Sequence, residues 1–163
     1  MVPLWKRALA GLSQPLLKTR PSRVLRSPLR RFVRFDMVRS DSEVVEVRAI
    51  FYGRSIGQTV VLRMWKREGI DECFSGGTWI HPFFRGIGIG GRLLRLSIDE
   101  AGRRMGCRIF ANVNFDNFVS LRLYRRAGFS VVEDERMSKA IENSYLARTG
   151  FTKRQVILRH DVA

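Results

Sequence analysis

The segment best suited to chemistry is Arg85-Gly86-Ile87-Gly88-Ile89-Gly90-Gly91, where four of six consecutive residues are glycine. A strand-like run, Cys73 to Ile80, precedes it and a helical pattern follows. Glycines let the backbone turn tightly and approach a ligand without a Cβ collision. The helix start adds unpaired N–H groups and the positive end of the helix dipole, worth roughly 0.3–1 kcal/mol per favourable charge. In physical terms this is a phosphate cradle. Gly86, Gly88 and Gly91 formally spell the dinucleotide fingerprint G-x-G-x-x-G, but two features oppose that assignment. His81-Pro82-Phe83-Phe84-Arg85 separates the strand from the first glycine. The next strand, Arg108 to Val113, does not end in a ribose-binding acid, since Asp116 lies beyond it in a turn. A triphosphate-binding P-loop is excluded because no Gly-Lys-Ser/Thr follows.

Two further segments recur in order around the cradle. Upstream, Gly53-Arg54-Ser55-Ile56-Gly57 reads as a hairpin turn. Downstream, Asn117, Ser120, Leu123, Tyr124 and Gly128-Phe129 form N-x-x-(small)-x-x-L-Y-x-x-x-G-F. With Thr78 to Leu94, which carries R-x-x-G-x-G at Arg85, Gly88 and Gly90, these segments resemble the acyl-CoA signature of the GNAT superfamily of N-acyltransferases. The resemblance covers residues 44–133.

It implies acetyl-CoA, or another acyl-CoA, as donor, and a primary amine on a small molecule or protein as acceptor. Arg85, Gly86, Ile87, Gly88, Ile89, Gly90, Gly91 and Arg92 then form the pyrophosphate loop, the amides from Ile87 to Arg92 being the donors. The strand edge Trp79, Ile80 and His81 hydrogen-bonds the pantetheine arm. Asn117 contacts the cofactor or caps the next helix. Tyr124 is the candidate general acid: a phenol of pKa near ~10 stays protonated at neutral pH and can protonate a thiolate whose pKa is about 8.5. An acceptor amine of pKa ~10.4 is neutral only about once in 2,500 at pH 7, so a proton acceptor is wanted. Glu72 and His81, just outside the two ends of the strand Cys73 to Ile80, are the candidates, with Asp71 behind them.

The elements that must position these groups follow from periodicity. Arg34 to Val38 is a candidate first strand. Val44 to Tyr52 and Thr59 to Trp65 are β-branched and aromatic runs that pair as a hairpin. Lys66 to Glu72 reads as a charged loop, and Gly76-Gly77 as a bulge or close backbone approach. Leu94, Ile98, Ala101 and Met105 share one face of a helix that Gly106 ends. A strand over 108–113, a short helix over 118–127, a strand over 129–132, a polar stretch over 133–149 that holds a helix or a loop, and a last strand over 155–158 complete the chain. This is a mixed-sheet α/β domain. The resemblance sharpens it to a mostly antiparallel, twisted GNAT-like sheet with helices on both faces. Family members usually place two helices between the first strand and the hairpin. Here only Arg39 to Glu43 intervene, so the first helices are reduced or replaced by residues 3–30.

Composition bounds the rest. The chain has 163 residues and a formal charge of +15. Its length fits one domain, and no apolar run reaches the ~18 residues of a membrane span. Residues 1–40 hold ten bases against one acid, a net +9, and the remainder carries +6. The chain thus divides into a basic segment, 1–34, and an acyl-CoA-binding domain, 35–163. Trp5, Leu9, Leu12 and Leu16 are spaced as on one helix face. Three readings of the segment compete: an amphipathic element on an anionic membrane, a mitochondrial transit peptide, and a solvated basic arm. A charge-led alternative makes the whole protein a nucleic-acid- or membrane-binding module on a degenerate scaffold. A second copy of the chain is a further candidate partner. Cys73 and Cys107 are the only cysteines and read as two reduced thiols in a cytoplasmic setting. With only His81 and His160 besides, no zinc site is expected.

Overall fold

The computed structural model describes residues 27–67, 70–133, 139 and 155–161. The amphipathic face of Trp5, Leu9, Leu12 and Leu16, the Asp71 side chain and most of the polar stretch 133–149 lie outside the described residues. A 3-10 turn, Ser27–Phe32, leads into β1 (Val33–Ser40), β2 (Val44–Phe51), β3 (Arg54–Arg67) and β4 (Ile70–Ile80). Then come α1 (Ile89–Met105), β5 (Arg108–Asn114), α2 (Phe118–Arg126), β6 (Ser130–Val131) and β7 (Gln155–His160). The strands form one sheet in the order β1-β2-β3-β4-β5-β7-β6. Every pairing is antiparallel except β4 with β5.

Period-two alternation sets the faces. Val45, Val47 and Ala49 are fully buried, while Glu46 and Arg48 between them are partly exposed. The apolar face of α1 completes that core with Leu93, Leu94, Ile98, Ala101 and Met105, leaving Arg92, Arg95, Asp99, Arg103 and Arg104 exposed. Each fully buried leucine contributes about 1.5–3 kcal/mol. Gly106 ends the helix in the left-handed region at φ 56°, where an L side chain is strained. A smaller cluster, Phe110 and Ile157 with Phe74 and Val132, lies on the other face of the sheet. Glu100, buried near the C-terminal end of α1, accepts from Ser40 Oγ and from Arg103 and Arg104, tying the helix to the end of β1.

β1 and β2 are joined by Asp41–Glu43 alone, with no helix between them. The Arg39 guanidinium, followed by the N–H groups of Glu43 and Val44, holds the Asp41 carboxyl at about 2 and fixes this turn.

Three expectations are corrected. The hairpin turn is Tyr52-Gly53, not Gly53 to Gly57. Ser55, Ile56 and Gly57 already belong to β3, with Gly57 opposite Ile80. A Cβ on Gly57 would lie 2.6 Å from Ile80 Cδ1 and 2.9 Å from the Trp79 carbonyl, so this glycine serves close packing rather than a turn. The charged stretch Lys66 to Glu72 is not a loop: β3 runs to Arg67 and β4 starts at Ile70, which places Glu72 inside a strand. Cys73 and Cys107 are not separate thiols. Parallel pairing brings their Cα atoms to 5.9 Å, and a disulfide joins them.

Candidate active site

β4 and β5 pair over only three positions, Glu72 with Arg108, Cys73 with Ile109 and Phe74 with Phe110. Beyond Phe74 the strands part, although β4 continues to Ile80 and β5 to Asn114. A wedge therefore opens between Ser75–Ile80 and Ala111–Asn114, and the Cys73–Cys107 disulfide sits at its closed end. Gly76 and Gly77 together face Val60 of β3, a bulge with Gly77 at φ 98°. The bulge shifts side-chain alternation by one residue. Ser75 before it and Thr78 and Ile80 after it thus all face the helices: Ser75 reaches Tyr124, and Thr78 and Ile80 lie beside Gly90.

The bulge also decides which strand groups point into the wedge. His81 N–H donates to the Ile56 carbonyl at 2.7 Å. By antiparallel alternation Trp79 also turns its backbone groups to β3, whereas Ile80 and Thr78 turn theirs away from it. The Ile80 carbonyl accepts from Arg85 Nε at 2.9 Å, which pins the start of the glycine loop to the strand end. Thr78, absent from the expected pantetheine contacts, therefore presents backbone groups where Trp79 and His81 do not.

The cradle is held by its isoleucines. Ile87 and Ile89 are buried, which drives the alternating glycines outward. Gly86 and Gly88 stand at φ 82° and 90°, and Gly88 caps α1. The amides from Gly88 to Gly91 have no acceptor within the helix. Arg92 N–H is the first to bond inside it, to the Gly88 carbonyl at 3.2 Å, so the donor set ends one residue earlier than expected. The Arg92 guanidinium lies over the Phe35 ring at 4.7 Å. Leu123 of α2 lies beside Gly90 and Gly91, 3.8 Å from where a Cβ would stand at either, an ordinary contact. Helix dipole, unpaired amides and a wedge with outward-turned strand groups fit a pyrophosphate followed by an extended pantetheine arm.

Tyr124 is buried in α2 with its hydroxyl 2.9 Å from Ser75 Oγ, at the narrow end of the wedge, and its ring edge-on to Phe129. Asn117 caps α2, its Oδ1 accepting from Ser120 N–H at 3.1 Å. His81 is buried and caps the 3-10 turn Pro82–Phe84, its Nδ1 accepting from Phe83 N–H. Burial, aided by the Arg85 charge, holds its imidazole below the ordinary histidine value. It is thus neutral at pH 7, with its one basic nitrogen engaged by the backbone. Glu72 is buried three residues before the strands part, about 10 Å along β4 from the wedge. Some 30 Å of extended strand separates it from His81, so the two cannot serve one acceptor. Ser75 and Thr78 were missed, and the Gly76-Gly77 pair between them was the available signal. Among the described residues no three metal-ligating side chains cluster.

The acetyltransferase (GNAT) family model matches residues 17–129. No curated protein sequence matches the chain. Among solved structures, Arabidopsis thaliana Naa50, in complex with the bisubstrate analogue CoA-Ac-MVNAL, superposes with a TM-score of 0.53 at 17% identity, covering 71% of each chain. Ribosomal-protein-alanine N-acetyltransferase from Brucella melitensis gives 0.53 at 20% identity, over 72% of this chain and 68% of that one. The ribosomal-protein-S18-alanine N-acetyltransferase from Escherichia coli gives 0.55 at 15%, over 74% and 70%. At these identities the structural likeness speaks for the fold, and the family follows from the sequence match: the chain belongs to the GNAT family of acetyltransferases.

Proposed function

We propose that the protein transfers an acetyl group from acetyl-CoA to a primary amine. The observation that carries this reading is the parting of β4 from β5 beside a glycine cradle, with the Tyr124 hydroxyl where the strands begin to part. Acetyl-CoA supplies an acyl thioester. The chain's own residues do the rest. Amides of Gly88 to Gly91 hold the pyrophosphate, and outward-turned groups of Thr78 and Ile80 align the arm along β4. As the amine attacks the thioester carbonyl, the C–N bond forms, the C–S bond breaks, and the departing thiolate takes a proton from Tyr124. Either hydroxyl of the Ser75–Tyr124 pair can donate; in this reaction Ser75 takes the donor role and leaves the phenol proton for that sulfur. The amine's own proton leaves through water, since neither Glu72 nor His81 offers a basic atom at the wedge.

Peptide and protein amines are the first acceptors to test, because the Arabidopsis neighbour carries a peptide-like acceptor and the two bacterial neighbours are named for a ribosomal protein's alanine. The test is a panel of peptide N-termini, lysine peptides, polyamines and aminoglycosides scored by release of free CoA thiol. Turnover of one class identifies the acceptor. Absence of any CoA-induced rise in melting temperature at millimolar CoA overturns the reading.

A further inference from the structure

The basic segment ahead of β1 reaches the cradle. Leu29 packs against the core and Val33 is buried, so the turn Ser27–Phe32 is anchored on both sides of Arg30. The Arg30 guanidinium lies over Gly88: a Cβ there would be 3.4 Å from Nη1, 3.6 Å from Cζ and 4.0 Å from Nε. The loop's own arginines are committed elsewhere: Arg85 bonds the Ile80 carbonyl and Arg92 lies over Phe35. Arg30 has no carboxylate partner among the described residues.

We propose that Arg30 is a phosphate ligand of the cofactor site, placing its guanidinium on the pyrophosphate held by the Gly88–Gly91 amides. This rests on the acyl-CoA reading above and deepens it. A pyrophosphate brings two negative charges, and a helix N-terminus answers with only about half a positive charge. A planar guanidinium at that terminus supplies both the missing charge and two parallel N–H donors. Part of the N-terminal surplus then belongs to cofactor binding, and the turn ahead of β1 becomes a wall of the site.

The test is calorimetric binding of CoA, dephospho-CoA and pantetheine to the full chain and to Arg30→Ala, Arg30→Lys and Arg31→Ala. Arg30 is exposed, so its removal leaves the unliganded melting temperature near that of the parent. Arg30→Ala is expected to weaken CoA and dephospho-CoA about tenfold or more, the effect of a lost charge-assisted hydrogen bond. Arg30→Lys recovers part of this, and Arg31→Ala binds as the parent does. Pantetheine, which lacks phosphate, binds parent and Arg30→Ala alike. If the parent binds CoA and Arg30→Ala matches it within twofold, the Arg30 assignment falls and the acyltransferase reading stands. A loss seen with CoA but not dephospho-CoA moves Arg30 to the 3′-phosphate and overturns the pyrophosphate contact. An equal loss with pantetheine marks a structural role and overturns it too. If the parent binds no CoA, both readings fall.

Discussion

The Tyr124 hydroxyl and Ser75 Oγ stand 2.9 Å apart, one on α2 and the other on the first β4 residue beyond the paired segment. This contact bridges the helix to the strand at the point where the wedge opens. It fixes a phenol in a buried site where a departing thiolate would need a proton. Tyr124→Phe keeps the ring against Phe129 and removes only the hydroxyl. Its stability should fall by about 1 kcal/mol. Its kcat should fall by about 100-fold or more with little change in acetyl-CoA affinity. Ser75→Ala should lower kcat in the same direction by less. Steady-state kinetics on the best acceptor of the panel decide the matter, and an unchanged kcat for Tyr124→Phe removes the acid role.

Gly88 carries two demands at once. Its φ of 90° strains any L residue, and the Arg30 guanidinium sits 3.4 Å from where a Cβ would go. Gly88→Ala should cost about 1–2 kcal/mol in the unliganded protein through the left-handed backbone. It should also reduce the CoA-induced rise in melting temperature, because the strained backbone shifts the Gly88–Gly91 amides and the new methyl group fills space between them and the Arg30 guanidinium. Gly53→Ala is the control. It also has positive φ, 73°, but open space around it and no place in the cradle, so it should lose stability and keep the CoA shift. Melting curves with and without CoA separate the two.

The parts of the site legible in the sequence are the local ones. Arg85 to Gly91 announces itself because a strained loop needs glycine at fixed positions, and Gly106 and Asn117 mark helix ends by short-range rules. Gly57 misled because a glycine that lets Ile80 pack closely looks the same in sequence as one that makes a turn. The charged run from Lys66 to Glu72 misled because charge usually marks solvent, yet β3 and β4 run through it and Glu72 is buried in β4. The Cys73–Cys107 bond, the Ser75–Tyr124 contact and the seat of Arg30 over Gly88 arise only when distant segments meet in the sheet. No spacing rule encodes them.

His81 makes stability depend on pH above the carboxylate range. Burial, then the Arg85 charge, lowers its folded-state pKa below the usual 6.5. The unfolded chain therefore binds the proton more readily. His81's contribution is complete above pH 6.5 and declines as pH falls below that value towards the folded-state pKa. The depressed carboxyls of Asp41 and Glu100 act at lower pH, which leaves the interval from 8 to 5.5 to histidine. Melting temperatures across that interval should fall for the parent and stay flatter for His81→Asn, whose side-chain oxygen can still cap the 3-10 turn. Parallel slopes for the two proteins would rule out His81 as the source.

Glu100 tests whether the far end of α1 matters to the cradle. Its carboxylate is buried and accepts from Ser40 Oγ, with Arg104 and Arg103 beside it, and these partners hold its pKa below the ordinary glutamate value, the Ser40 hydrogen bond most of all. The sign is that of a depressed acid: the contribution is present above about pH 4.5 and is lost as pH falls through the folded-state value. Both arginines are largely exposed, so their ion pairs add little, and the half-buried bond to Ser40 sets the scale. Glu100→Gln should cost about 1–3 kcal/mol at pH 7 by denaturant unfolding, with the gap to the parent narrowing as pH falls below about 4.5. The seventeen-residue helix places Glu100 about 16 Å from the amides of Gly88 to Gly91. A rigid helix anchored along its length by Leu93, Leu94, Ile98 and Ala101 should transmit none of the change, leaving the acetyl-CoA KM as it was. A raised KM would instead mean that the β1 end of α1 sets the position of the cradle.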